Sequence, residues 1–181
     1  MTVSDFFELE KRDPENFRQE TRKSTFILIA IFAVLGMGLS TLSVSYFGTP
    51  DGNNFVWNVA GVFAGFALTT IIFKTILWKH PIMEASAYSW KLKRCLMKVT
   101  NIMHHVEAGV EQNDETAIKL LRFYHLALMQ MHKLEGNDAG ISEQQKPMQK
   151  LMTKIEALGL NPEQTRFDPD WIEKVKQFGK Q

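Results

Sequence analysis

The hydrophobic pattern divides the chain into two regimes. Residues 24–47 form one continuous apolar run without a charge, and residues 55–78 form a second whose only charge is Lys74. Each run has 24 residues, and about 20 suffice to cross a bilayer core as a helix. Backbone groups in lipid must pair within their own segment, so helix is the expected form. Their length, and their shortage of polar residues on any face, argue against two buried helices of a soluble core. The connector, residues 48–54, is rich in Gly, Pro, Asp and Asn and reads as a turn. So short a link joins antiparallel neighbours, which makes the pair a hairpin.

After residue 80 the period becomes that of amphipathic helices. Tyr88, Leu92, Cys95, Val99, Ile102 and Val106 recur at alternating spacings of four and three, and Leu96, Met103 and Val110 add a parallel row. So wide a stripe predicts contact with more than one helix, as in a bundle. The expected elements are a helix from Pro81 to about Ala108, a break at 112–114, a helix to Glu135 and a turn over 136–140. A weaker helix starts at Ser142 and ends at Gly159, and a short last helix follows Asp168-Pro169. Upstream, Asp13-Pro14 caps a helix that runs into the first apolar segment. Residues 5–9 are expected as an interfacial turn or a frayed end.

Charge orients this plan. Lys11, Arg12, Arg18, Arg22 and Lys23 precede the first run, the connector has no basic residue, and Lys79, Lys91, Lys93, Arg94 and Lys98 follow the second. Basic residues flank the cytoplasmic ends of spans, so both termini are expected in the cytoplasm. Lys74 lies near that end, where it snorkels to the headgroups. The polar lead is too long, and the run after it too extended, for a cleaved signal peptide, so the first run reads as an uncleaved anchor.

Composition adds mainly exclusions. Lys plus Arg is 21 and Asp plus Glu is 20 in 181 residues, a balance that argues against nucleic acid as a partner. The single cysteine, Cys95, builds no disulfide framework and is expected as a small buried residue. Phosphate-binding Gly-rich loops and the nucleophile-elbow pattern are absent from the sequence.

The candidate sites are therefore mostly packing surfaces. Gly61 and Gly65, with Gly36 and Ser40 on the first run, let helix backbones approach, either within the hairpin or between copies. Leu96, Met103 and Val110 are expected to remain exposed and to mediate self-association. Lys91, Lys93, Arg94 and Lys98 are candidates for an anionic membrane surface. The metal candidates are His104, Glu107 and His132. Their spacing lacks the repeated Glu-x-x-His of di-iron bundles, and solvated side chains are the competing reading. No cofactor is implied.

Three stretches carry a resemblance: residues 47–58 with Gly61, residues 80–84 leading to 88–93, and residues 121–125. Together they resemble a family of small proteobacterial inner-membrane proteins described as domain of unknown function 3087. The resemblance covers nearly the full chain. It implies two spans and a bacterial inner membrane, and it supplies no activity, ligand or catalytic residue.

The expected fold is an all-α membrane protein, with a two-helix transmembrane hairpin followed by a cytoplasmic helical bundle. The expected division is a lead over 1–23, a hairpin over 24–80 with residues 48–54 as a periplasmic loop, and a cytoplasmic domain over 81–181. The expected function is non-enzymatic: the hairpin, seated in the lipid bilayer, anchors an interaction or assembly domain that binds copies of itself or another protein. The alternative is a membrane-bound metal protein or enzyme using His104, Glu107 and His132. A channel subunit is disfavoured because the spans carry no charged stripe.

Overall fold

The computed structural model describes residues 6–179. Among these the chain is helical apart from one two-stranded ribbon and connecting turns. The helices are α1 (Pro14–Phe47), α2 (Phe55–Thr75), α3 (Glu84–Thr100), α4 (Met103–Glu111), α5 (Glu115–Glu135), α6 (Asp138–Ala157) and α7 (Asp170–Val175). Two 3-10 turns, Leu77–Lys79 and Pro81–Met83, connect α2 to α3. The chain divides into two compact units. One spans residues 19–87; the other combines residues 6–18 with residues 88–179.

In the first unit, α1 and α2 are both long and apolar enough to cross a membrane. They run antiparallel, and their contact is made by backbone. A Cβ added at Gly61 would lie 2.4 Å from the Cα of Ser40, and one at Gly65 would lie 2.6 Å from the Cα of Gly36. Only glycine permits that approach. The polar side chains are satisfied locally: Thr69, Thr70 and Thr75 donate to the carbonyls of Gly65, Phe66 and Ile71. Ser40 donates across the pair to Asn58 Oδ1 at 2.8 Å. In the connector, Asn54 Oδ1 accepts from Thr49 N at 3.0 Å while its Nδ2 donates to Thr49 O at 3.1 Å. Phe47 stacks on Trp57 with ring centroids 5.1 Å apart.

The second unit is organised around α5, which packs against α4, α6 and α7. Asp114 caps α5 by accepting from Ala117 N, and Gly136 ends it in the left-handed conformation, φ 71°. The expected stripe is the core: Tyr88, Leu92, Cys95, Val99, Ile102 and Val106 are all buried, together with Ile118, Leu120 and Phe123.

Three expectations change. The helix anticipated from Pro81 to Ala108 is interrupted at Ile102, φ −120° and ψ 18°, which separates α3 from α4. Helix α6 starts at Asp138, capped by Asn137 Oδ1 on Gly140 N, so the expected turn over 136–140 is confined to its first residues. Residues 7–8 are neither a frayed end nor a turn. They form strand β1 (Phe7–Glu8), antiparallel to β2 (Arg166–Phe167), with Phe7 opposite Phe167.

Candidate functional site

The N-terminal strand fastens the second unit. Phe7 and Phe167 are buried and sit on Phe123, at ring-centroid distances of 6.4 and 5.3 Å. Tyr88 Oη accepts from Glu10 N at 3.1 Å and donates to Gln130 Oε1 at 2.9 Å, while Gln130 Nε2 donates to Glu10 O. Burial raises the Tyr88 phenol above its usual pKa, and the Arg12 guanidinium lies 4.6 Å from the ring centroid.

Between α4, α5 and α6 the unit holds a cleft of about 600 Å³. Helix α5 supplies its floor with Leu121, Tyr124 and His125, which share one face at i, i+3 and i+4. Glu107 and Glu111, one turn apart on α4, stand on one wall. Lys150 and Lys154, with the same spacing on α6, stand on the other. Lys154 Nζ donates to Val110 O. His125 is 6% exposed, and its Nδ1 lies 3.3 Å from Gln144 Oε1. Burial lowers its pKa, opposed by the Gln144 hydrogen bond and reinforced by the nearby Arg122 charge. The imidazole is therefore neutral at pH 7. Because Gln144 Oε1 is an acceptor, the proton sits on Nδ1, and Nε2 is left as an acceptor. Arg122 Nε donates to Pro162 O at 2.8 Å, and its Nη1 is buried without a partner among the described residues.

The helix-packing candidates Gly36, Ser40, Gly61 and Gly65 meet at the α1–α2 contact. Of the basic candidates, Lys93 pairs with Glu135 at 2.6 Å, Arg94 lies over Trp90 and Lys98 lies over Phe167, while Lys91 is exposed. The row expected to remain exposed for a neighbouring copy is occupied within the chain. Leu96 is buried. Val110 packs against Ile118, Leu151 and Ile155. Met103 lines the cleft. For Val110 the cover comes from Leu151 and Ile155 of α6, which docks on the α4 face that was expected to stay open.

The metal candidates do not converge. His104 and His105 lie beside each other on α4, His105 Nδ1 contacts Phe178 O, and His132 Nδ1 is 3.2 Å from Asn137 Nδ2. Among the described residues, no three His, Cys, Asp or Glu side chains gather so as to hold an ion. Tyr124, Gln144, Lys150 and Lys154 are not among the candidates that the sequence singles out, and the cleft brings them together. The i, i+3, i+4 set on α5 is the signal available in the sequence, but the facing wall depends on how α6 docks against α4 and α5.

These features define a predominantly helical protein with two long apolar helices and a separate helical unit that holds a polar-rimmed cleft. The chain belongs to the family described as Protein of unknown function (DUF3087), whose model matches residues 7–172. No curated protein and no solved structure matches it.

Proposed function

We propose that this is a non-enzymatic bacterial inner-membrane protein whose α1–α2 pair anchors a cytoplasmic helical unit for interaction and assembly. The supporting observation is that almost nothing of either apolar helix is buried. Phe26, Val34, Phe63, Phe66 and Ile71 are all more than half exposed. A core helix of a soluble protein buries such residues, and an apolar surface this extensive in water marks an interface or a membrane contact. The basic residues before α1 and after α2, and their absence from the connector, support a topology with both termini in the cytoplasm. On this reading Lys91, Lys93 and Lys98 face anionic headgroups, and Arg94 is taken up by the Trp90 ring.

The interaction face best supported is on α3. Trp90 and Met97 are exposed two turns apart, with Arg94 between them against the Trp90 ring. Trp, Arg and Met are enriched in protein interfaces. Self-association is part of the proposal, because tethered units share a plane and an orientation that raise their effective concentration. Closed cyclic symmetry about the membrane normal is its expected form.

Alkaline carbonate washing of membranes tests the anchor: the protein stays in the pellet and is released by detergent. Release by carbonate alone contradicts it. Light-scattering mass in mild detergent tests assembly separately. More than one copy is expected, falling on Trp90→Ala, and a monomer mass rejects self-association while leaving the anchor intact.

A further inference from the structure

We infer that the cleft between α4, α5 and α6 binds a small amphipathic zwitterion, an apolar amino acid or a molecule with the same arrangement of charges. The inference concerns the helical unit and does not depend on the membrane reading.

Size comes first. A volume of about 600 Å³ falls within the roughly 300–1,000 Å³ typical of small-molecule sites. Leu121, Leu151 and Met103 give it an apolar lining for a hydrocarbon or aromatic body. Polarity comes second. The two walls carry opposite charge, and none of the ion pairs formed among the described residues joins them across the cleft. Glu107, Glu111 and Lys150 are exposed at the rim and keep their charge for a visitor. Lys154 spends one donor on Val110 O and retains two. A ligand with an ammonium and a carboxylate satisfies both walls; a ligand of one charge satisfies one and repels the other.

The third element is His125. It is more than nine-tenths buried and lines the cleft. Its Nδ1 is held by Gln144, and its Nε2 has no hydrogen-bond partner among the described residues. That nitrogen is open to the cleft rather than sealed, since Arg122 Nη1 is the buried side-chain atom left without a partner among the described residues, and an N–H or O–H donor on the ligand takes the place of water there. An ammonium placed near Glu107 and Glu111 has donors for both the carboxylates and the imidazole. The carboxylate then points toward α6, where Lys150 and Lys154 stand one turn apart.

The test uses the full chain in detergent micelles and three probes of one shape: phenylalanine, phenethylamine and 3-phenylpropionate. Affinities are measured calorimetrically against micelles without protein. Phenylalanine is expected to bind about tenfold tighter than either single-charge probe, the factor one charge-assisted hydrogen bond supplies. Glu107→Gln with Glu111→Gln should weaken phenylalanine and phenethylamine and spare 3-phenylpropionate. Lys150→Gln should weaken phenylalanine and 3-phenylpropionate and spare phenethylamine. These side chains are exposed, so the variants keep the fold. Equal affinity for all three probes, or no saturable binding of phenylalanine, overturns the inference.

Discussion

Residues 19–87 and residues 88–179 use the same helical period in opposite senses. In α2 the buried positions are Gly61, Gly65 and Thr69, small residues every fourth position, while Phe63, Phe66 and Ile71 face outward. In α5 the buried positions include Ile118, Leu120 and Phe123, while Glu115, Lys133 and Glu135 face outward. The difference lies in what drives packing. Removing apolar surface from water holds α5 in place. In α2 the contact rests on close backbone approach and on the Ser40–Asn58 hydrogen bond, the pattern of helix pairs that no hydrophobic effect drives together.

The contrast predicts unequal responses to the same substitution. Phe123→Ala removes a fully buried ring that seats both Phe7 and Phe167, and it should cost about 3–5 kcal/mol. Phe63→Ala, at a position 69% exposed, should change stability by less than about 0.5 kcal/mol. Thermal unfolding of the two variants in the same detergent compares them; similar losses would erase the distinction between the regions.

Smaller effects sharpen it. Gly61→Ala brings a methyl group against the Ser40 backbone, which cannot yield as a flexible side chain does. Overpacking of this kind should cost about 1–3 kcal/mol. Gly38→Ala is the control, because a Cβ there meets nothing within 4 Å. Equal stability of the two variants would show that the α1–α2 contact is looser than its geometry.

The smallest expected effect is a pH dependence confined to the helical unit. Burial holds the His125 pKa below the ordinary value of 6.5. Above that value the imidazole is neutral both folded and unfolded. As pH falls below it, the unfolded chain takes up the proton first, so stability declines until the folded pKa is reached. His125→Gln should flatten this acid-side decline, measured by unfolding midpoints at a series of pH values; an unchanged profile would assign the decline to other groups.

The sequence made the apolar helices legible because a run of 24 residues without a breaker leaves little choice of form. It also marked the buried stripe of α3 and α4, where six apolar positions from Tyr88 to Val106 keep the helical spacing. What it hid was non-local. The β1–β2 ribbon pairs residues separated by most of the chain through strands of two residues each, too short for any alternation to register. The start of α6 was obscured by Gly and Asp residues that resemble a turn, although only Gly136 among them takes a positive φ. The docking of α6 on α4, which covers Val110 and walls the cleft, is likewise a non-local contact that the helical period alone does not fix. Cys95 shows the same limit from another side: its burial makes it unsuitable as a reporter of which compartment surrounds it.

The central claim is that α1 and α2 cross a membrane and leave both termini on one side. Cysteine labelling in a Cys95→Ala background tests it most directly. Asn53→Cys lies in the connector and Glu143→Cys on an exposed position of α6. A membrane-impermeant thiol reagent applied to intact spheroplasts should modify Asn53→Cys and reach Glu143→Cys only after the membrane is opened. Modification of Glu143→Cys in intact spheroplasts, with or without Asn53→Cys, would contradict the account.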